Sequence, residues 1–266
     1  MAYPLRQRGV MSAADTWPTV LWIVRHGESA GNVARQAAYR ARKARIDLNL
    51  RDIDVPLSPL GERQARALGR WFGKLPEKVQ PTSILTSPYI RAVRTAELLR
   101  AEAGWESERV RTTCDERLRE KEFGILDRFT GSGIGQFHPE QAELRLILGK
   151  FYHRPPGGES WCDVILRLRS VLDTLTREYS GERVLIVCHS VVVLCFRYLL
   201  ERMSEEQILE VDRTNEVANC SVTRYELDPS RDRRDPLALR EYNMTVPLLK
   251  EGAPVTAEPD ARAPAP

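Results

Sequence analysis

The sequence predicts a doubly wound α/β fold, a mostly parallel sheet with helices on both of its faces. Two short apolar runs rich in β-branched residues, 19–24 and 184–188, have the composition of strands buried on both sides. Strand-like and helix-like segments alternate along most of the chain, as in a sheet built with crossover helices. Both apolar runs end in reactive side chains, Arg25-His26 and His189. Because parallel strands end at one edge of a sheet, we expect a site there.

In the first half of the chain, the pattern predicts three strands and three helices. The first strand turns over 28–32 into an alanine-rich helix that contains neither Gly nor Pro. Pro59 opens the second helix, and Pro88 opens the third. The predicted elements are strand 19–24, helix 33–45, helix 59–72, strand 83–87, helix 89–103 and strand 110–114.

The second half begins with a long mixed stretch, 115–156. Glycines and prolines break it around a helical patch near 140–148, and such a segment inside a domain is typical of a cover over a functional site. Ser160 is the predicted N-cap of a helix with one apolar stripe. The remaining predicted elements are strand 183–188, helix 191–203, and strands 219–227 and 237–242.

Length and composition indicate one domain with tails. A chain of 266 residues with 42% apolar content can bury a full core, and one large α/β domain fits this length. We expect a catalytic domain over 19–249, between a flexible N-terminal lead, 1–18, and a disordered tail, 250–266, dominated by Ala, Pro, Glu and Gly. Two insertions are expected in the domain, at about 33–54 and 121–158.

The charge balance excludes some classes of partner. Forty basic and 37 acidic residues give a net charge of +3, which is too even to indicate a nucleic-acid binder. No segment approaches the roughly 18–20 uninterrupted apolar residues of a membrane span, and the N-terminus lacks the apolar core of a signal peptide. We therefore expect a soluble protein that binds a small molecule, without nucleic-acid or membrane partners; the sequence does not indicate an oligomeric state.

The cysteines and histidines do not form a metal or disulfide pattern. The five cysteines are widely spaced and odd in number, without paired Cys-x-x-Cys spacing. His138 and His153 have no Cys or Asp in ligand register, which argues against zinc. We expect a cytoplasmic protein that uses neither a metal nor a cofactor.

Six motifs follow one another in a fixed order. They are Arg25-His26-Gly27-Glu28-Ser29 with Asn32, then 57–65, 87–96, Leu118-Arg119-Glu120 with Phe123-Gly124, Gly158-Glu159-Ser160, and His189. In this order they resemble the histidine phosphatase superfamily, in the branch that includes cofactor-dependent phosphoglycerate mutases, over roughly residues 20–225. One departure is Ser190, which stands where the family commonly has glycine. The resemblance implies a phosphoglycerate mutase-like fold.

The resemblance also implies a phosphomonoester hydrolase that works through a phosphohistidine. In that mechanism His26 is the nucleophile, and Glu120 is the general acid that protonates the leaving oxygen. Arg25, Arg91 and His189 are expected to clamp the phosphoryl oxygens during catalysis. The residues expected to bind the phosphoryl group are Arg25, Ser29, Asn32, Arg91, His189 and Ser190.

Phosphate chemistry supports these assignments independently. A phosphomonoester dianion needs positive charge around its oxygens, a nucleophile in line with the leaving oxygen, and a proton for that oxygen. Arginine offers phosphate a fork of donors, and the helix N-termini predicted after Ser87 and His189 point partial positive charge at the same edge. Glu116 and Glu122 are rivals for the general acid, and the family spacing favours Glu120.

Three functions remain open from the sequence. Hydrolysis is favoured over mutase activity, because residues 117–124 read Arg-Leu-Arg-Glu-Lys-Glu-Phe-Gly where mutases have Arg-Leu-Asn-Glu-Arg-His-Tyr-Gly. A non-catalytic phospho-ligand or protein-binding module is disfavoured, because all five catalytic candidates are present together.

A basic segment follows the first motif. Residues 33–45 contain no acidic residue and five basic ones, Arg35, Arg40, Arg42, Lys43 and Arg45. The segment is either a lid whose charges attract a second anionic group of the substrate, or a solvated basic helix, and the solvated helix is slightly favoured.

Overall fold

The computed structural model describes residues 16–232 and 235–257. Residues 1–15 of the predicted lead and 258–266 of the predicted tail lie outside the described residues. The strands are β1 (Val20–Arg25), β2 (Ser83–Thr86), β3 (Arg111–Cys114), β4 (Arg183–Cys188), β5 (Val222–Leu227) and β6 (Leu237–Met244). The helices are α1 (Ala30–Arg40), α2 (Pro59–Gly73), α3 (Ile90–Glu102), α4 (Gly131–Phe137), α5 (Pro139–Tyr152), α6 (Trp161–Glu178), α7 (Ser190–Leu200), α8 (Glu205–Thr214) and α9 (Val246–Lys250).

The strands form one sheet in the order β3-β2-β4-β1-β5-β6. The pairs β1–β4, β2–β4 and β2–β3 are parallel, whereas β5 pairs antiparallel with β1 and with β6. The register aligns Arg25 with Cys188 at the ends of β1 and β4. The next residues, His26 and His189, therefore leave the sheet side by side, and the prediction of a mostly parallel sheet is confirmed.

Helices cover both faces of the sheet. Leu21 and Ile23 of β1 join a core cluster with α6 and α7, whereas Trp22 and Val24 join a second cluster with α2 and α3. This alternation follows from the two-residue period of a strand, and it explains why the run is apolar throughout. Each fully buried Leu, Ile or Val side chain contributes roughly 1.5–3 kcal/mol of stability, so both layers hold the central strand in place. The doubly wound prediction is confirmed.

Helix α1 starts and ends earlier than the sequence predicts. It begins at Ala30 because Ser29 caps it. The backbone N–H of Asn32 donates to the Ser29 hydroxyl at 3.1 Å, and the backbone N–H of Ser29 donates to Asn32 Oδ1 at 3.0 Å. It ends at Arg40, and Arg42 adopts a left-handed φ of 51°. Helices α4, α8 and α9 are absent from the prediction.

The two predicted insertions pack against each other. The Thr130 amide donates to Ala44 O at 3.0 Å, and the Ile46 amide donates to Arg128 O at 2.8 Å. A Cβ on Gly133 would lie 1.9 Å from Ala44 O, so only glycine permits this approach of the two backbones. A small apolar cluster lies beneath the contact and consists of Leu126, Phe129 and Ile134.

The chain after α9 differs from the predicted disordered tail. Leu248 of α9 and Ala253, which follows this helix, are both buried in the apolar cluster under α2 and α3. Pro254 and Thr256 accept hydrogen bonds from the buried Gln64 side chain. Composition alone cannot reveal such contacts, and residues 250–257 belong to the packed domain.

Among the described residues, none of the helices combines the length and apolarity that crossing a bilayer requires.

Candidate active site

The loop that carries His26 is fixed at the end of β1. The His26 amide donates to Cys188 O at 2.9 Å, which extends the β1–β4 ladder by one residue. Gly27 then passes directly over α2, where a Cβ on Gly27 would lie 2.5 Å from Gly61 O. The Gly27 amide donates to Thr95 Oγ1 at 3.1 Å. A side chain on Gly27 would therefore displace the loop.

Hydrogen bonds fix the tautomer of His26. Its Nδ1 lies 2.7 Å from Gly27 O, and its Nε2 lies 3.2 Å from Arg91 Nε. Carbonyl oxygen only accepts and guanidinium only donates, so the proton is on Nδ1 and the lone pair is on Nε2. Burial, followed by the charges of Arg91 and Arg25, lowers the pKa of His26 well below 6.5. The ring is therefore neutral at physiological pH.

His189 is the second buried imidazole of the site. It precedes α7, its Nε2 lies 2.7 Å from Ser87 Oγ, and its ring centroid is 5.1 Å from that of His26. Its Nδ1 is buried and has no hydrogen-bond partner among the described residues. Burial, with Arg91 and His26 as the next causes, lowers the pKa of His189 well below 6.5. A buried ring nitrogen without a partner suits a site that receives an oxygen-rich ligand.

Arg91 lies in the first turn of α3 and connects the site to the first insertion. Its Nη2 lies 3.1 Å from Asp52 Oδ2, and its Nη1 donates to Asp52 O at 2.5 Å. Its guanidinium lies 4.9 Å from the Tyr89 ring centroid. The Tyr89 hydroxyl donates to Glu122 Oε1 at 2.7 Å, and burial together with Glu122 raises the pKa of Tyr89. No motif or periodicity points to Asp52, which lies in an aperiodic segment.

Arg25 is the last residue of β1 and is only 4% exposed. Its Nη1 donates to Val217 O at 2.5 Å. Its positive charge contributes to the lowered pKa values of both His26 and His189, which places the guanidinium within electrostatic range of both rings. A buried arginine beside two neutral imidazoles is a suitable environment for an anion.

Ser29, Asn32 and Ser190 occupy helix N-termini at the same edge. Ser29 and Asn32 form the capping box of α1, and Ser190 is the first residue of α7 and is buried. Asn219 also lies here: its Nδ2 donates to His26 O at 3.1 Å and to Asn32 Oδ1 at 3.5 Å. Asn219 follows no motif recognisable in the sequence, so sequence reasoning missed it.

Burial distinguishes the three glutamates proposed as the general acid. Glu120 is 8% exposed, and its Oε1 accepts from the Lys121 amide at 2.8 Å. Glu116 and Glu122 are exposed, and Glu122 already accepts a hydrogen bond from the Tyr89 hydroxyl. This difference favours Glu120 among the three glutamates.

The other two histidines, His138 and His153, lie in different environments. His153 is buried, with Nε2 3.3 Å from Gln141 Oε1, whereas His138 packs edge-on against the Phe129 ring and pairs with Glu140. Within the described part of the chain, no three His, Cys, Asp or Glu side chains form a metal-binding group.

The predicted residues Arg25, His26, Ser29, Asn32, Arg91, His189 and Ser190 thus share one edge of the sheet. Arg91 donates a hydrogen bond to His26. The His189 ring packs against the His26 ring, and the charge of Arg91 helps to lower the pKa of His189. Ser87, quoted in the third motif, proves to be the hydrogen-bond partner of His189. The arrangement offers one neutral imidazole lone pair, two arginines and a buried carboxyl, which are the groups needed to transfer a phosphoryl group.

Comparison with known proteins gives a family match. The model of the histidine phosphatase superfamily (branch 1) matches residues 21–237. A fission-yeast (Schizosaccharomyces pombe) protein named probable fructose-2,6-bisphosphatase is 30% identical over 189 residues, which are 71% of this chain and 40% of that protein. A Yersinia enterocolitica protein named probable phosphoglycerate mutase is 27% identical over 215 residues, 79% of this chain and 86% of that protein.

Solved structures show the same fold. Bacillus stearothermophilus YhfR has a TM-score of 0.64 at 27% identity, covering 84% of this chain and 96% of that one. A phosphoglycerate mutase from Bacillus anthracis has a TM-score of 0.65 at 18% identity, covering 90% and 99%. The expected phosphoglycerate mutase-like fold is confirmed. The chain spans less than half the length of the fission-yeast relative.

Proposed function

Because the chain belongs to the histidine phosphatase superfamily, branch 1, we propose that it hydrolyses phosphomonoesters through a phosphohistidine on His26. The observation that carries the proposal is the tautomer of His26: Nδ1 donates to Gly27 O, so the Nε2 lone pair faces Arg91. A neutral imidazole with a directed lone pair, beside an arginine, is prepared to attack a phosphoryl group.

In the first step, the Nε2 lone pair of His26 attacks phosphorus. The P–N bond forms as the bond from phosphorus to the leaving oxygen breaks, and the Glu120 carboxyl gives that oxygen its proton. Arg25 and Arg91 stabilise the charge on the three equatorial oxygens, and His189 adds a hydrogen bond from a ring N–H. Asn32, Ser29 and Ser190 are placed around the same helix N-termini, which favour anions.

In the second step, water attacks the phosphohistidine. The Glu120 carboxylate takes a proton from the water as the P–N bond breaks, which releases inorganic phosphate and restores neutral His26. The arginine charges supply the electrostatic stabilisation that a metal ion supplies in other phosphatases, so we propose that the reaction is metal-independent.

Mutase activity is the second candidate. The Yersinia relative carries a mutase name, and both reactions use the same phosphohistidine, differing in whether water or a substrate oxygen accepts the phosphoryl group. The residues at 119, 121, 122 and 123 differ from the mutase motif, which favours hydrolysis. A binding module without catalysis is disfavoured by the full set of chemically competent groups at the edge.

We propose a small phosphorylated metabolite as the substrate and the cytoplasm as the location. The fission-yeast relative is named for a sugar bisphosphate, and only the chemical class is carried over to this chain. All five cysteines are unpaired, which suits a reducing compartment.

A panel of phosphomonoesters assayed in excess EDTA tests the proposal. Release of inorganic phosphate and isomerisation of 3-phosphoglycerate are followed in parallel. We expect phosphate release without isomerisation, at a rate that EDTA does not change. Isomerisation faster than release would favour the mutase, and loss of activity in EDTA would contradict metal independence.

A further inference from the structure

We propose that Thr256 is a positioning residue for His26. Residues 251–256, here termed the C-terminal strap, pass behind the loop 26–32 and fix it through the side chains of Gln64 and Asn219. The inference rests on the proposed role of His26 as the nucleophile.

The strap is itself held firmly at its start. The Glu251 carboxylate pairs with Arg70 at 3.2 Å and with Lys74. Ala253 is 6% exposed, and its amide donates to Leu248 O at 2.9 Å. Packing against α2 therefore fixes the position of Thr256 at the end of the strap.

Thr256 contacts two buried residues, Gln64 and Asn219: its hydroxyl contacts both side chains, and its carbonyl accepts from the Asn219 backbone. Its Oγ1 accepts from Gln64 Nε2 at 2.9 Å and donates to Asn219 Oδ1 at 3.1 Å. Its backbone carbonyl accepts from the Asn219 amide at 2.8 Å. Gln64 and Asn219 are both 0% exposed, so water is poorly placed to substitute for the hydroxyl.

The same two side chains hold the residues on either side of Gly27. Gln64 Oε1 accepts from the Glu28 amide at 2.8 Å. Asn219 Nδ2 donates to His26 O at 3.1 Å and to Asn32 Oδ1 at 3.5 Å. The network therefore runs from the strap to the backbone of the nucleophile and to the capping box of α1.

The Thr256 hydroxyl supports the orientation of Asn219, whereas Gln64 is also held by Pro254 O and by the Glu28 backbone N–H. The hydroxyl has one proton, which it gives to Asn219 Oδ1, and its lone pair faces Gln64 Nε2. With Asn219 flipped, two acceptor oxygens would face each other at His26 O, which is unfavourable in a buried site. Losing the hydroxyl leaves Asn219 Oδ1 without this donor, and we expect the loop held by Asn219 to shift.

Substitution in the full-length protein tests the role. Thr256→Val keeps the shape and removes the hydroxyl, so we expect kcat to fall about 10-fold or more, since small displacements of reacting groups are costly. KM should change by less than about twofold, because the network holds the backbone of His26 and Glu28 and so acts on the position of the nucleophile. Thr256→Ser should restore kcat, and Val255→Thr, at an exposed neighbour, should leave it unchanged.

A purely structural role predicts a different result. A structural role would lower the fraction of folded protein, and so the amount of phosphoenzyme formed. A positioning role would leave that amount unchanged and lower the rate constant of phosphoenzyme formation. Asn219→Asp, which puts an oxygen in place of the donor to His26 O, should reproduce the loss if Thr256→Val folds poorly. A wild-type rate constant in Thr256→Val and Asn219→Asp, or no rescue by serine, overturns the proposal. A wild-type enzyme that forms no phosphohistidine on His26 would instead overturn the proposed function.

Discussion

Two neighbours of His26 determine which of its ring nitrogens carries a proton. Gly27 O takes the proton of Nδ1, and the Arg91 Nε–H group points at Nε2. In the proposed mechanism, the Nε2 lone pair that attacks phosphorus is the one that accepts the Arg91 hydrogen bond. We expect a phosphoryl oxygen that accepts the Arg91 hydrogen bond to free this lone pair, which would couple substrate binding to activation of the nucleophile.

Glu120→Gln should separate the general acid from the phosphate clamp. Without a protonated carboxyl, esters with poor alkoxide leaving groups should slow by about 100-fold or more, while an activated aryl phosphate needs little protonation and should slow far less. Arg91→Ala should slow both substrates, because it removes charge stabilisation of the phosphoryl group itself. The measurement is kcat/KM for the two ester types.

Glu116→Gln is the matched control for this test. Glu116 lies on the same segment but is exposed, so its substitution should leave both ester types unchanged. Equal losses on the two esters for Glu120→Gln would show that Glu120 is not the general acid.

The sequence indicated the candidate phosphate-binding residues, but not the residues that support them. His26, Arg91 and His189 follow strands or open helices, so their types and positions carry a readable signal. Asp52, Gln64 and Asn219 act through contacts between segments far apart in the chain. No periodicity or spacing encodes such contacts, and only the packed structure reveals them.

At the scale of elements, the two insertions enclose a cavity lined by basic side chains. Arg35 from α1, Lys121 after Glu120, and Arg145 from α5 line it. Burial, followed by the charges of Arg145 and Lys121, lowers the pKa of His153, another lining residue. Arg128 and the Asp127 carboxylate line it as well, so basic side chains outnumber acidic ones and we expect the cavity to favour an anionic group.

If the cavity binds a second anionic group of the substrate, Arg35 is the residue of the basic segment 33–45 that should contribute to this binding. Arg35→Ala and Arg145→Ala should raise KM for 3-phosphoglycerate about 10-fold relative to glycerol 3-phosphate, which lacks the carboxylate, because a charged hydrogen bond is lost. The exposed Arg40/Arg42/Lys43→Ala triple variant is the control, and it should not alter the ratio. The ratio of KM values at low and high salt is the measurement.

Equal effects on both substrates would show that the cavity does not recognise a second anion. An altered ratio in the triple variant alone would instead assign recognition to the exposed part of the segment, as a lid would require.

The core elements were predictable and the peripheral ones were not. Strands β1 and β4 are apolar and β-branched because both of their faces are buried, which leaves a strong signal. Helix α8 is short and amphipathic, and its N-cap Ser204 follows α7 closely, so the sequence pattern left this segment unassigned. The strap has the composition of a disordered segment, and its order comes from contacts with Gln64 and Asn219.

At the scale of the whole molecule, buried histidines link stability to pH. Burial is the largest cause that lowers the pKa values of His26, His153 and His189 below 6.5 in the folded protein. The unfolded chain then binds more protons just below pH 6.5. The resulting stability is fully present above that pH and is lost as pH falls through the folded values.

Thermal unfolding between pH 7.5 and 5.5 tests this linkage. The free energy of unfolding should decrease below pH 6.5, by at most about 1.4 kcal/mol per pH unit for each histidine. His153→Gln, which cannot titrate and lies outside the proposed chemistry, should reduce the slope. Burial opposes ionisation of Glu159, but its hydrogen bonds with Arg167 outweigh this cost and its pKa is lowered. Such carboxylates affect the free energy of unfolding only at lower pH, below about 4.5. Stability that does not change between pH 7.5 and 5.5 would contradict the assignment.

The measurement that tests the central claim most directly is the mapping of the phosphoryl group on the trapped enzyme. The wild-type protein is mixed briefly with an aryl phosphate, quenched in alkali, digested and analysed by peptide mass. We expect one acid-labile, base-stable phosphoryl group on His26, and neither phosphoenzyme nor phosphate release from His26→Ala, whose turnover should fall by at least about 1000-fold. A phosphoryl group on another residue, or near wild-type turnover by His26→Ala, would contradict the account.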